Sequence, residues 1–158
     1  MDTMHSADRL ETIDREECLR LLADADAGRI GFVVDGKPRI DPVNYIVVDG
    51  DIVLLSRPGA KLEAAVHHQV VAFEIDSLEE WAHAGWSVLA VGVASVITDP
   101  AEVAHLSAQG PHAWTSVVGG RLMRISPTEL TGRRVLVAPG AVTVLRVGPS
   151  DAEQDQRP

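Results

Sequence analysis

Two cations and a hydroxyl fall within six residues in Ser56-Arg57-Pro58-Gly59-Ala60-Lys61. The segment lies where an apolar run ends and a helical pattern begins. Arginine offers a planar fork of donors and lysine a point charge, and both suit phosphate oxygens. A helix start adds free backbone N–H groups. These residues describe a phosphate cradle and equally an ordinary surface turn with solvated cations, and spacing alone does not choose. Upstream, Pro42-Val43-Asn44-Tyr45 interrupts a strand-like run. Proline lacks an N–H, which places it at a sheet edge or a bulge. Exposed backbone groups there could hydrogen-bond a planar heterocycle, or the proline could simply guard an edge. Trp81, Trp86 and Trp114 are three of only six aromatic residues. Trp114 lies in a Pro/Gly-flanked segment, suited either to stacking on a flat ligand or to plugging its own core.

Other chemistries are weakly signalled. Glu63 and His67 stand one helical turn apart, a spacing that describes a surface pair better than a metal site. His67 and His68 are adjacent and point in different directions. The sequence has no HExxH, P-loop, GxGxxG or Gly-x-Ser-x-Gly pattern. Cys18 is the only cysteine, which excludes an intramolecular disulfide and a multi-cysteine zinc site. A lone cysteine and a polar stretch over 1–17, without the apolar core of a signal peptide, point to the cytoplasm. The apolar run 88–97 is about half the length needed to span a bilayer. The formal net charge is −9, with no Lys/Arg cluster larger than Arg133-Arg134. That balance argues against nucleic acid and against anionic membranes. An anionic small molecule needs only a locally positive pocket.

The elements that would position these residues follow from pattern. A length of 158 residues suits one domain, and 46% hydrophobic residues with 4% aromatics imply a core of Val, Ile, Leu and Ala. Residues 1–13 carry no periodicity and read as a flexible lead-in, 14–147 as the domain and 148–158 as a disordered tail. A helix begins at Asp14, with Glu17 in the reciprocal capping position, and closes at Gly28. Strands at 29–34, 39–48 and 52–55, joined by Asp35-Gly36 and Asp49-Gly50-Asp51, predict an antiparallel meander. A short helix over 60–68, a strand at 70–75 and a polar loop over 77–85 come next. Residues 86–98 form the longest strand, apolar on both faces. A helix opens at Asp99-Pro100, and further strands are expected at 122–126, 134–137 and 142–147. Hairpin-linked strands argue against a doubly wound parallel sheet. The expected fold is mainly β, an antiparallel barrel of about six strands with two to three short peripheral helices.

Taken in order, the motifs resemble the pyridoxamine 5'-phosphate oxidase-like FMN-binding split-barrel family. Gly28-Arg29-Ile30-Gly31-Phe32, Pro42-Val43-Asn44-Tyr45 and Arg57-Pro58-Gly59-Ala60-Lys61-Leu62 resemble its first half. Val71 to Asp76, Gly85-Trp86-Ser87-Val88-Leu89 and Thr131-Gly132-Arg133-Arg134 resemble its later strands. The resemblance spans residues 10–137. It implies a homodimeric split β-barrel with FMN at the subunit interface. Arg57 and Lys61 would hold the FMN phosphate with Ser56 assisting, and Val43, Asn44 and Tyr45 would line the isoalloxazine. Trp86 and Ser87 would approach from the central strand, and Trp114 from its loop. Pro58 stands where the family often has Thr, and Ala90-Val91 where an Arg is common. The implied activity is that of an FMN-dependent oxidoreductase acting on a small molecule. The alternatives are a reductase using a deazaflavin coenzyme and a flavin- or haem-binding module without turnover. No residue is marked as an obligatory acid or base. Pyridoxamine phosphate itself is disfavoured as substrate, because no second anion-binding set is visible.

Overall fold

A computed structural model of the chain describes residues 9–79, 84–111 and 119–136. Local chemistry sets the first elements. Strand β1 (Arg9–Ile13) leads into helix α1 (Arg15–Asp24), which starts where the Asp14 carboxylate accepts the Glu17 amide N–H. Such a cap contributes about 1 kcal/mol. The helix buries Cys18, Leu21 and Leu22, the expected apolar face. It ends at Asp24, four residues before Gly28. Ala25 is extended, and Gly28 lies inside β2 (Ala27–Val34). Packing, not helix termination, requires glycine there: a Cβ on Gly28 would stand 2.5 Å from Cζ of Phe73.

Asp35-Gly36, both at positive φ, turn the chain into β3 (Lys37–Asn44). Asp49-Gly50 likewise join β4 (Ile46–Val48) to β5 (Asp51–Ser56). Both predicted hairpins form, but the predicted meander does not. The run 39–48 breaks at Tyr45, and β3 and β4 take opposite ends of the strand order β3-β2-β6-β7-β8-β5-β4, where β6 is Val70–Glu79, β7 is Ala84–Val96 and β8 is Arg121–Leu136. Residues 77–79, expected in a loop, extend β6. Helix α2 (Ala60–Val66) precedes β6, and α3 (Pro100–Gln109) opens on Asp99, whose carboxylate accepts the Glu102 N–H. The two strands expected at 122–126 and 134–137 are one strand of 16 residues. Residues 9–13, expected in the lead-in, pair as β1 with the end of β8.

Every pairing is antiparallel. Because Tyr45 alone joins the two edge strands, the sheet curls until its edges approach, giving a split barrel. Its interior is filled by Ile30, Ile52, Leu54, Phe73, Val88, Met123 and Ile125. A smaller cluster of Val53, Ile97, Leu106 and Leu122 packs under α3. Arg124 on β8 ties this layer down, pairing with Asp51 at 3.0 Å and with Glu102 on α3. The long strand β7 buries Val88, Ala90 and Ala94 and turns Leu89 and Val93 outward. Ala90 is fully buried, so an arginine there would have no solvated position. The candidate strand 142–147, the tail 148–158 and residues 1–8 lie outside the described residues.

One close approach gives a stability test. Strand β7 is irregular against β8 between Val91 and Gly92, and a Cβ on Gly92 would collide with the backbone carbonyl of Ser126. Backbone cannot swing aside as a side-chain tip can. Gly92→Ala is expected to lower the unfolding free energy by about 1–3 kcal/mol, read as a lower urea midpoint with an unchanged m-value.

Candidate functional site

A cleft of about 670 Å³ opens between β2, β3 and the connection from β5 to α2, a size suited to a small-molecule ligand. Alternate residues of β3 share a face, and Arg39, Asp41 and Val43 all line the cleft, as does Asn44. Phe32, Val34 and Leu55 supply apolar wall, and Ser56, Arg57, Gly59 and Lys61 come from the opposite side. Pro42 lies on an edge strand, as its missing N–H requires. Five of the residues singled out from sequence therefore converge: Val43, Asn44, Ser56, Arg57 and Lys61.

Their chemistry is uneven. Lys61 is largely buried, with Nζ 3.5 Å from Oδ2 of Asp41. Ser56 is buried, and its hydroxyl donates to the carbonyl of Arg57 at 3.1 Å. That proton is spent on the backbone, so Ser56 shapes the turn that presents Arg57. Helix α2 has only seven residues, and Gly59 at its start makes no side-chain cap. The positive potential of the cleft is carried by side-chain cations more than by a two-turn helix.

Tyr45 is displaced from the expected site. Its side chain faces the core at 3% exposure, its hydroxyl donates to the carbonyl of Leu22 at 2.6 Å, and its ring meets Phe73 edge-on at 4.7 Å. Burial, with Asp26 nearby, pushes the phenol well above its ordinary range. Trp86 and Ser87 also lie elsewhere, in an apolar cleft of about 350 Å³ with Leu10, Leu78, Gly85 and Arg133. Register explains the separation: Ser56 pairs with Arg121 at the start of β8, and Trp86 with Arg134 near its end. A strand of that length runs roughly 50 Å along its contour. Trp114 and Trp81 lie outside the described residues. Glu63 and His67 meet at 3.6 Å on the surface, and no metal-binding cluster occurs among the described residues. Among those residues no helix is long and apolar enough to cross a membrane.

Sequence reasoning passed over Arg39 and Asp41. Once Val43 was assigned to the cleft, period-two alternation along β3 would have assigned both.

The profile of the pyridoxamine 5'-phosphate oxidase family matches residues 14–134. The chain belongs to this family. Membership accounts for the order of the motifs from Gly28 through Arg134. A family relative, the uncharacterized Mycobacterium tuberculosis protein Rv0080, is 37% identical over 136 residues, covering 83% of this chain and 89% of that one. The FAD binding protein from Mycobacterium smegmatis is 30% identical with a TM-score of 0.68, covering 81% of this chain and all (100%) of that one. A FAD-binding protein from Mesorhizobium loti shares the split-barrel fold at 22% identity and a TM-score of 0.69, covering 83% of this chain and 100% of that one.

Tyr45 is the sole tyrosine, so its placement is directly measurable. A folded-state phenol raised above the ordinary value of 10.0 keeps its proton when the unfolded chain has lost it. Its stabilising contribution is complete below pH 10 and lost as pH rises beyond. Ultraviolet titration is expected to show no tyrosinate in the folded protein until the chain unfolds. Tyr45→Phe is expected to lose about 1 kcal/mol of stability at neutral pH and to flatten the alkaline fall.

Proposed function

We propose that this protein is a flavin-dependent oxidoreductase that seats the FMN half of its flavin in the Arg57–Lys61 cleft. The supporting observation is the convergence of Val43 and Asn44 from β3 with Arg57 and Lys61 from the connection to α2 on one cavity. The cavity is cationic at one side and walled by an edge strand on the other. A ligand with a planar heterocycle at one end and a phosphate at the other has that same polarity. Arg57 supplies a bidentate fork to the phosphate and Lys61 a point charge. An edge strand presents a row of backbone N–H and C=O groups, and along Val43 and Asn44 these suit the polar rim of an isoalloxazine. The flavin supplies the electron transfer, and the protein supplies binding, orientation and electrostatics.

The reading extends to a homodimer with the cofactor at the subunit interface. Trp86 and Ser87 can serve the flavin only if a second copy brings their cleft against the first. Leu89 and Val93 on β7, Val70 on β6 and Ile40 on β3 are exposed large hydrophobics on the outer face, an apolar surface of the kind that marks an interface.

The absorption spectrum of the purified protein tests the cofactor. An oxidised-flavin spectrum bleached by dithionite is expected, and a haem or deazaflavin spectrum would overturn the reading. Arg57→Ala is expected to weaken FMN binding by about 1.5–3 kcal/mol and to leave riboflavin, which has no phosphate, nearly unaffected. Equal loss for both ligands would assign Arg57 to the fold or the ring. Sedimentation is expected to give twice the 16.9 kDa chain mass, and Leu89→Asp to shift the protein to monomer.

A further inference from the structure

Two side chains of the cleft are not used by the FMN half alone. Arg39 and Asp41 lie two residues apart on β3 and line the same cavity as Val43. Their Cα atoms are about 7 Å apart along the strand. The order along this wall is Val43, then Asp41 with its partner Lys61, then Arg39. The Arg39 side chain makes no hydrogen bond or ion pair among the described residues, whereas those of Arg20, Arg29, Arg124 and Arg134 each meet a carboxylate. An anion cradle thus holds one carboxylate beside its lysine and a further cation one step beyond it.

We propose that Asp41 and Arg39 make the cleft selective for the flavin dinucleotide FAD over FMN. The inference rests on the flavin reading and names which nucleotide the site takes. FMN ends in a phosphomonoester, whose charge at neutral pH approaches −2 on a single phosphorus. Bound at Lys61, that compact dianion lies beside the Asp41 carboxylate, and the two repel. In FAD the same phosphate is one half of a pyrophosphate and carries a single charge, and the second charge sits on the next phosphorus. Asp41 then opposes half as much charge at the Lys61 position. The second phosphate, leading away from the ring wall, comes toward Arg39, whose fork matches the two free oxygens of that phosphate. Asp41 penalises the mononucleotide and Arg39 rewards the dinucleotide, which is selection by repulsion and attraction together.

Calorimetric titration of the full chain with FAD, FMN and riboflavin at one fixed salt concentration tests this. The wild type is expected to bind FAD about tenfold more tightly than FMN, the scale of one charge-assisted contact. Arg39→Gln is expected to remove most of that advantage by weakening FAD, with FMN changed less than about twofold. Asp41→Asn is expected to strengthen FMN more than FAD. FMN binding as tightly as FAD in the wild type overturns the proposal. So does Arg39→Gln weakening both nucleotides alike, which would make Arg39 a general source of positive potential. Asp41→Asn weakening both alike overturns it too, by making Asp41 an orienting partner of Lys61. Failure of all three flavins to bind any of the proteins overturns the flavin reading, and the selectivity with it.

Discussion

The buried hydroxyl of Tyr45 holds the seam on which the cleft depends. Tyr45 is the single residue between β3 and β4, the two edges of the strand order. Its hydroxyl is bonded to α1 through Leu22, its N–H donates to the carbonyl of Asp26 at 3.2 Å, and its ring packs on Phe73 of β6. One side chain therefore fixes the point where the sheet folds back on itself. The cleft walls come from opposite ends of that order. Arg39, Asp41 and Val43 are on the edge strand β3, while Ser56, Arg57 and Lys61 follow β5, next to the other edge. An open sheet would hold these groups apart. Closure at Tyr45 brings Asp41 within 3.5 Å of Lys61. Tyr45, expected beside the cofactor, is buried behind the wall that Asp41 and Val43 form.

Elements whose cause is local were legible in the sequence. The Asp14 and Asp99 caps, Pro100 in the first helical turn and the two Asp-Gly turns each depend on a few neighbouring residues, and all appear where expected. The misread elements have remote causes. Gly28 looked like a helix terminator but is glycine because Phe73, on another strand, occupies the space of its side chain. The strands expected at 122–126 and 134–137 leave Pro127 and Gly132 between them. In the fold Pro127 sits opposite Gly92 beside the irregularity of β7, and Gly132 pairs with Ile13 and abuts Cys18. The meander failed for the same reason, since two hairpins in succession say nothing about whether they are neighbours in the sheet. For the site, the cluster of cations was visible in one segment. Its counterparts on β3 needed a tertiary contact that no spacing records.

The length of β8 that completes the barrel also limits what one chain can assemble. Strand β8 carries β7 along one side and β5 and β1 in succession along the other. A 16-residue strand is far above the usual five or six. Its two ends deliver Arg121 beside Ser56, at the start of the Arg57 turn, and Arg134 beside Trp86. The two clefts therefore lie near opposite ends of this strand. The same strands turn Leu89, Val93 and Val70 outward, and a stable interface needs about 800 Å² per partner. The homodimer proposed above answers both features with one contact.

Charge completes the account of how an acidic chain can present an anion site. A net charge of −9 creates a field hostile to phosphates at long range. At physiological ionic strength that field is screened within about 8 Å. What decides binding is the set of charges nearer than that. Away from the cleft several of the described arginines lie against acids: Arg20 with Asp24, Arg29 with Glu74 and Asp76, Arg134 with Glu17. Pairs this exposed contribute little to stability, but they remove cations from the general surface. Among the described residues the cleft is lined by three cations, Arg39, Arg57 and Lys61, and one carboxylate, Asp41. The local balance is thus positive by two on a strongly negative protein. Lys61 is also the least exposed of the paired cations, where water weakens its attraction least. Asp41 therefore faces the cation of the cleft that is least screened by water, which is why the proposed selectivity is placed on it.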